Sequence, residues 1–274
     1  MKQPNFNFSS GKLPLLVSIP HLGTYIPPDL RAQMTDVAGG MDDTDWHLDH
    51  LYDAVIASGA SVISANVSRY VIDLNRPPDG ASLYPGQTTT GLCPLETFHG
   101  EPLYRAGMAP DAAEIARRVE AYWRPYHAAL QAEIDALRRR FGYVLLWEAH
   151  SINGQLPRLF DGALPDLNFG TADGTSCAPE VHDALAGLAG LSSYSWVVNG
   201  RFKGGYITRH YGDPANDVHA VQLEMAQRVY MEERSPYGYR TDLAARVKPL
   251  LQALVEAALA AAGKASAPAA RQRA

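Results

Sequence analysis

The chain has 274 residues, 46% of them hydrophobic and 19% charged, with 24 Lys and Arg against 29 Asp and Glu for a formal net charge of -5. That describes a globular protein long enough to bury a substantial core. Neither the acidic balance nor the short Arg138-Arg139-Arg140 run suits a nucleic-acid-binding surface. Met1 to Lys12 is polar where a signal peptide would be apolar, and no stretch reaches the roughly 20 apolar residues that span a bilayer. The expectation is therefore a cytoplasmic protein with no membrane or nucleic-acid partner. The two cysteines, Cys93 and Cys177, lack CxxC spacing and read as buried thiols.

Residues 1–13 read as an irregular arm. Leu15 to Ile19 is a short apolar run, the pattern of a strand buried on both faces, and it leads into Pro20-His21-Leu22-Gly23. Paired prolines make 23–28 a loop, and a short helix is expected over Asp29 to Met34. The acidic, aromatic stretch from Met41 to His50 leads into a helix with Leu48, Leu51, Tyr52, Val55 and Ile56 at helical spacing. Thr44 or Asp45 would cap it and Gly59 would stop it. Ser61 to Ala65 and Arg69 to Leu74 have the β-branched and aromatic content of strands; the second ends in Asn75-Arg76 ahead of two prolines. Residues 77–107, rich in Gly, Pro and Thr, are too long for a passive connector and suggest a functional loop or lid.

Asp111 to Arg140 carries an apolar stripe at helical spacing, with Pro125 predicting a kink or break. Tyr143-Val144-Leu145-Leu146-Trp147 is a second buried strand, followed at once by Glu148-Ala149-His150-Ser151. A loop-rich region from Asn153 to Ala178 precedes a helix over Glu180 to Leu188 and a strand over Tyr194 to Val198. The segment Gly200 to Gly212 holds Arg201, Lys203, Arg209 and His210. Val218 to Leu223 is a further buried strand with Glu224 at its end, then a helix is expected over Met225 to Val229 and an amphipathic one over Leu243 to Ala262. The strand–helix–strand order implies an α/β fold with parallel pairing. One domain is expected over 1–264, with a disordered tail over 265–274.

Ligands of open α/β sheets bind at the carboxyl ends of strands. His21, Asn75-Arg76, His150 and Glu224 each terminate a predicted strand. Two imidazoles on one rim begin a metal site, and zinc enzymes commonly use three protein ligands with one open position. The stretch 42–50 offers Asp43, Asp45, His47, Asp49 and His50 for the third. A carboxylate at the end of a buried strand, as Glu224 would be, suits a general base with a raised pKa. Arg69, Arg76, Arg201 and Arg209 suit an anionic small molecule, unless each has a structural acid partner such as Asp73.

These segments also carry a likeness. Ser18-Ile19-Pro20-His21-Leu22-Gly23, Asp43-Thr44-Asp45-Trp46, Ser68 to Pro77, Trp147 to Ile152, Asn199 to Gly205, Thr208 to Gly212 and Val221 to Glu224 resemble the N-formylglutamate amidohydrolase family, from about residue 12 to about residue 260. The resemblance implies a three-layer α/β/α fold with a mostly parallel mixed sheet, similar to zinc carboxypeptidases and aspartoacylases. It also implies zinc-dependent hydrolysis of N-formyl-L-glutamate to glutamate and formate in histidine degradation. Those relatives hold zinc through a His-x-x-Glu pair and a later His. Here His21 and His150 match the histidines, but Thr24 stands in place of the Glu. The third ligand is assigned to Asp45, with Asp43 as its rival. By the same resemblance Asn75 and Arg76 hold a substrate carboxylate, Arg69 polarises the scissile carbonyl and Glu224 is the catalytic acid/base. Arg201 or Arg209 is left for the second carboxylate, and Glu148 would orient His150. The alternatives are a related N-acyl amino acid deacylase or carboxypeptidase-like amidohydrolase, and a non-enzymatic dicarboxylate binder.

Overall fold

The computed structural model describes residues 4–83 and 86–267. In chain order its elements are β1 (Phe6–Ser9), β2 (Leu15–Ile19), α1 (Pro28–Arg31), α2 (Leu48–Leu51), α3 (Asp53–Ala57), β3 (Ser61–Ala65), α4 (Ala112–Arg118) and α5 (Arg124–Phe141). There follow β4 (Val144–Ile152), β5 (Leu167–Gly170), α6 (Pro179–Gly190), β6 (Trp196–Val198), α7 (Tyr206–Tyr211), β7 (Val218–Ala226) and α8 (Thr241–Ala265). The strands form one sheet in the order β1-β3-β2-β4-β7-β5-β6. β3, β2, β4 and β7 are parallel, while β1 and β5 run antiparallel to their neighbours β3 and β7. The central strands are buried along their whole length because helices cover both faces. Leu15, Val17, Leu145, Trp147, Val221 and Leu223 pack against α2, α3, α6 and α8, and Leu16, Ile63, Leu146 and Ala220 pack against α1, α5 and α7. This is the expected three-layer α/β/α architecture with a mostly parallel mixed sheet.

Strand lengths open the site. β2 pairs with β4 only from Leu15↔Leu145 to Ser18↔Glu148, whereas β4 and β7 stay paired from Val144↔Val218 to Ile152↔Ala226. β4 therefore outruns β2 and leaves a notch, which the chain after β2 fills with His21. Glu148, His150 and Glu224 lie inside their strands rather than beyond them, contrary to the reading from sequence. Alternation turns Leu146, Glu148 and His150 to one face and Leu145, Trp147 and Ala149 to the other, so this central strand presents its two charged or titratable side chains on a single face.

Other differences have similar causes. Arg69 to Leu74 is a succession of turns, not a strand. Val71 N donates to Ser68 O at 2.9 Å and Asp73 N to Leu92 O at 2.7 Å, and the β-branched residues reflect burial instead. Met225 and Ala226 extend β7, and a 3-10 turn replaces the helix expected there. Strands β1 and β5 arise where an arm and a loop were expected; both are only four residues long. The Pro125 interruption is a wide π turn over Val119–Trp123 ahead of α5. Proline has no N–H to give, and the carbonyl of Ala121 accepts instead from Asn5 Nδ2 at 2.7 Å. Both cysteines are free and buried, and no helix of the described residues is long and apolar enough to cross a membrane. Residues 268–274 of the expected tail lie outside the described residues.

His127 of α5 ties this layer to the segment that carries Asn75. Its ring stacks on Trp123 with centroids 3.6 Å apart, its Nε2 lies 2.9 Å from Leu74 O and its Nδ1 3.0 Å from Tyr211 Oη. Burial pushes this imidazole down to about 3. The unfolded chain takes up the proton near the ordinary value of about 6.5. The neutral ring's contribution is therefore full above pH 6.5 and lost progressively as pH falls towards 3. Chemical denaturation of the wild type and His127→Gln across that range should show the stability gap narrowing as pH falls; a constant gap would contradict the assignment.

Candidate active site

His21 and His150 face each other in the notch, ring centroids 4.9 Å apart, although 129 positions separate them in the chain. Asp45 lies between them. Its Oδ2 is 3.1 Å from His150 Nδ1 and 3.6 Å from His21 Nδ1, and it accepts from Ser151 N at 3.3 Å. The backbone of Asp45 donates to His21 O at 3.1 Å, which fixes this loop against the end of β2. One donor atom from each of His21, Asp45 and His150 falls within 4.8 Å of the others, all three residues being buried. Asp43 is placed elsewhere: its Oδ2 accepts from Phe98 N at 2.9 Å, and burial pushes its carboxyl up to about 7. His47 bonds Tyr237 O at 2.7 Å, away from this group.

Each imidazole is held from behind. His21 Nε2 donates to Asp73 Oδ1 at 2.7 Å, while Arg69 Nη1 stands 3.3 Å from His21 Nδ1. A guanidinium only donates, so these two contacts assign the proton to Nε2 and a lone pair to Nδ1. His150 Nε2 has Glu148 Oε1 at 3.1 Å and Asn75 Nδ2 at 3.0 Å. Glu148 Oε2 accepts from Thr208 Oγ1 at 2.7 Å, and Asn75 Oδ1 from Ile207 N at 2.9 Å. Asn75 thus lies between α7 and His150 while also lining the cleft.

The electrostatics follow from burial. Asp73 would be pushed up by desolvation, but His21, Arg76 and Arg69 hold it well below the carboxylate range. Asp45 is likewise lowered against its burial by hydrogen bonds from His150 and His21. Burial would lower His150, yet Glu148 and Asp45 hold it well above the usual imidazole value. Glu224, the cross-strand partner of His150, goes the other way: burial raises it to about 8, helped by the charges of Asp45 and Glu148 and opposed by His150 and Arg69.

The model for N-formylglutamate amidohydrolases matches residues 13–231. The chain belongs to the N-formylglutamate amidohydrolase family. A Pseudomonas putida protein named N-formylglutamate deformylase is 52% identical over 255 residues, covering 93% of this chain and 95% of the relative. A Pseudomonas aeruginosa protein of the same name is 50% identical over 255 residues, covering 93% and 96%. The crystal structure of an N-formylglutamate amidohydrolase from Ralstonia eutropha JMP134 superposes with a TM-score of 0.77 at 27% identity, covering 98% of this chain and 99% of that one.

In this family member the paired histidines sit in a cleft that also holds Arg69, Asn75, Arg76, Arg201, Gln222 and Glu224. Arg69 is buried, with its Nη2 on Asp73 Oδ2 at 2.8 Å; its Nε has no hydrogen-bond partner among the described residues. Arg76 and Arg201 meet across the threonine run of the 77–107 segment: Arg76 Nε donates to Thr90 O at 3.0 Å and Arg201 Nη2 to Thr88 O at 3.0 Å. Arg209 is not among the described residues that line the cleft; its Nε donates to Gly204 O at 2.8 Å. Phe98, Ile152, Leu159 and Phe202 complete an apolar wall. Sequence reasoning missed the double duty of Asp73, the docking of Thr208 on Glu148, and Gln222. Only the last left a local signal, two positions before Glu224 on the same strand face.

Proposed function

We propose that the protein is a zinc-dependent N-formylglutamate deformylase, a cytoplasmic enzyme of histidine degradation that hydrolyses N-formyl-L-glutamate to L-glutamate and formate. The buried His21–Asp45–His150 group at the floor of an arginine-bearing cleft carries this reading, and the relatives' names support the substrate. The residues fit the metal on two grounds. Two imidazoles and a carboxylate are a donor set zinc favours, and His21 already presents an unprotonated Nδ1. Asp45, Asp73 and Glu148 also bury three carboxylates beside the guanidinium of Arg69, negative charge that a divalent cation helps to offset. When bound, zinc supplies Lewis-acid polarisation and lowers the pKa of water from 15.7 towards roughly 7.

The remaining steps belong to side chains. Glu224 accepts the proton of the water that attacks the formyl carbon and returns it to the departing amine nitrogen. A buried carboxylate whose affinity for protons is raised by desolvation is suited to both transfers. Arg69 faces the charge that develops on the formyl oxygen. Arg76 and Arg201 bind the two glutamate carboxylates, for which the Thr90 and Thr88 carbonyls stand in. Phe98 and its apolar neighbours exclude water from the cleft.

Three outcomes test this. Asp45→Ala, His21→Ala and His150→Ala should each emerge from purification with zinc content well below one per chain by elemental analysis, whereas Asp43→Asn should keep it; the reverse pattern for the two aspartates would reassign the third ligand. Glu224→Gln should retain zinc and substrate binding while kcat for formate release drops by about 10²–10⁴, and near-normal turnover would remove Glu224 from the chemistry. Arg76→Ala and Arg201→Ala should each raise KM for N-formyl-L-glutamate by about 10- to 100-fold, the worth of a charge-assisted hydrogen bond. Unchanged KM in either would assign that arginine to the Thr88–Thr90 segment alone.

A further inference from the structure

Gln222 takes no part in the steps above, yet it lines the cleft and is 4% exposed. It lies two residues before Glu224 on β7, so strand alternation points both side chains to one face. Its Oε1 accepts from Gly205 N at 2.7 Å. A backbone N–H only donates, so that contact decides which end of the amide is the oxygen. Nε2 consequently faces Glu224 and donates to its Oε2 at 3.3 Å; no other hydrogen-bond donor reaches that carboxylate among the described residues. The anchoring backbone is itself packed against the site. A Cβ at Gly205 would stand 2.3 Å from the Asn75 side chain, and Gly205 leads directly into α7, whose Ile207 N–H holds Asn75.

We propose that Gln222 is the positioning residue for Glu224, an inference that rests on the catalytic role given to Glu224 above. The Gly205 N–H fixes the amide, the amide holds Oε2 of the carboxylate, and Oε1 is left to take the proton of the attacking water. A neutral donor does this without adding charge beside an acid already flanked by Asp45 and Glu148. Without it the carboxylate is buried with neither oxygen held, and its side-chain rotamers are no longer restricted to the one aimed at the formyl carbon. The contribution of one hydrogen bond to a charged group corresponds to a loss of about 10- to 100-fold in kcat.

The test uses the zinc-loaded full-length enzyme and N-formyl-L-glutamate. Gln222→Leu should lower kcat by about 10- to 100-fold with zinc content and KM unchanged. Gln222→Glu keeps the side-chain size and the acceptor for Gly205 but loses the donor, and should fall at least as far; it decides the matter alone if the leucine variant does not fold. In a Glu224→Gln background Gln222→Leu should cost nothing further, because its effect passes through the carboxylate. A folded Gln222→Glu variant with wild-type kcat, or a full additive loss in the double variant, overturns the proposal. A wild-type enzyme that releases no formate would instead overturn the functional reading beneath it.

Discussion

Asp73 is fully buried, and much of the site is arranged around the need to satisfy its charge. Its Oδ1 accepts from His21 Nε2 at 2.7 Å and from Asn75 N at 2.8 Å, and its Oδ2 from Arg69 Nη2 at 2.8 Å. Arg76 adds a longer contact at 4.0 Å. A carboxylate removed from water at this depth is tolerable only when such partners replace its hydration. The arrangement has a consequence beyond stability. One acid sets the tautomer of His21, aims the Arg69 guanidinium and fixes the turn that presents Asn75 and Arg76. A single constraint thus links the end of β2 to the segment that follows β3.

The second constraint is geometric. β4 and β7 carry Glu148, His150, Gln222 and Glu224 on one face and continue past the end of β2, which leaves His150 and Glu224 beyond it. Those polar groups sit in the middle of a core and need partners, which α7 supplies from its amino end: Gly205 N for Gln222, Ile207 N for Asn75 and Thr208 Oγ1 for Glu148. A short helix with few residues of its own is therefore held by the polar side chains it satisfies. The opposite faces of the same strands are mainly apolar against α6 and α8, which keeps the notch rigid.

The sheet's centre was legible because Leu15 to Ile19, Val144 to Trp147 and Val218 to Leu223 are short, mainly apolar runs, the pattern of a doubly covered strand. His21 and His150 were legible for the same reason, as titratable residues that closely follow those runs. Arg69 to Leu74 was misread since β-branched residues report burial as readily as strand geometry, and this segment is buried in turns. The contacts of Asn75 with His150 and Ile207 span 75 and 132 positions, and no local pattern announces them. Asp45 was preferred to Asp43 without a matching position in the relatives, since Thr24 stands where they have Glu; the two aspartates differ by two positions in a loop, and only the fold directs one to the histidines and the other to Phe98 N.

The central claim is that His21, Asp45 and His150 converge on one zinc ion. Crystals of the purified enzyme measured on either side of the zinc absorption edge test it most directly. The account predicts a single strong anomalous peak about 2.0–2.2 Å from a ring nitrogen of each histidine and from an Asp45 carboxylate oxygen. A peak bound by other residues, or zinc-loaded protein with no peak between these three, would contradict it.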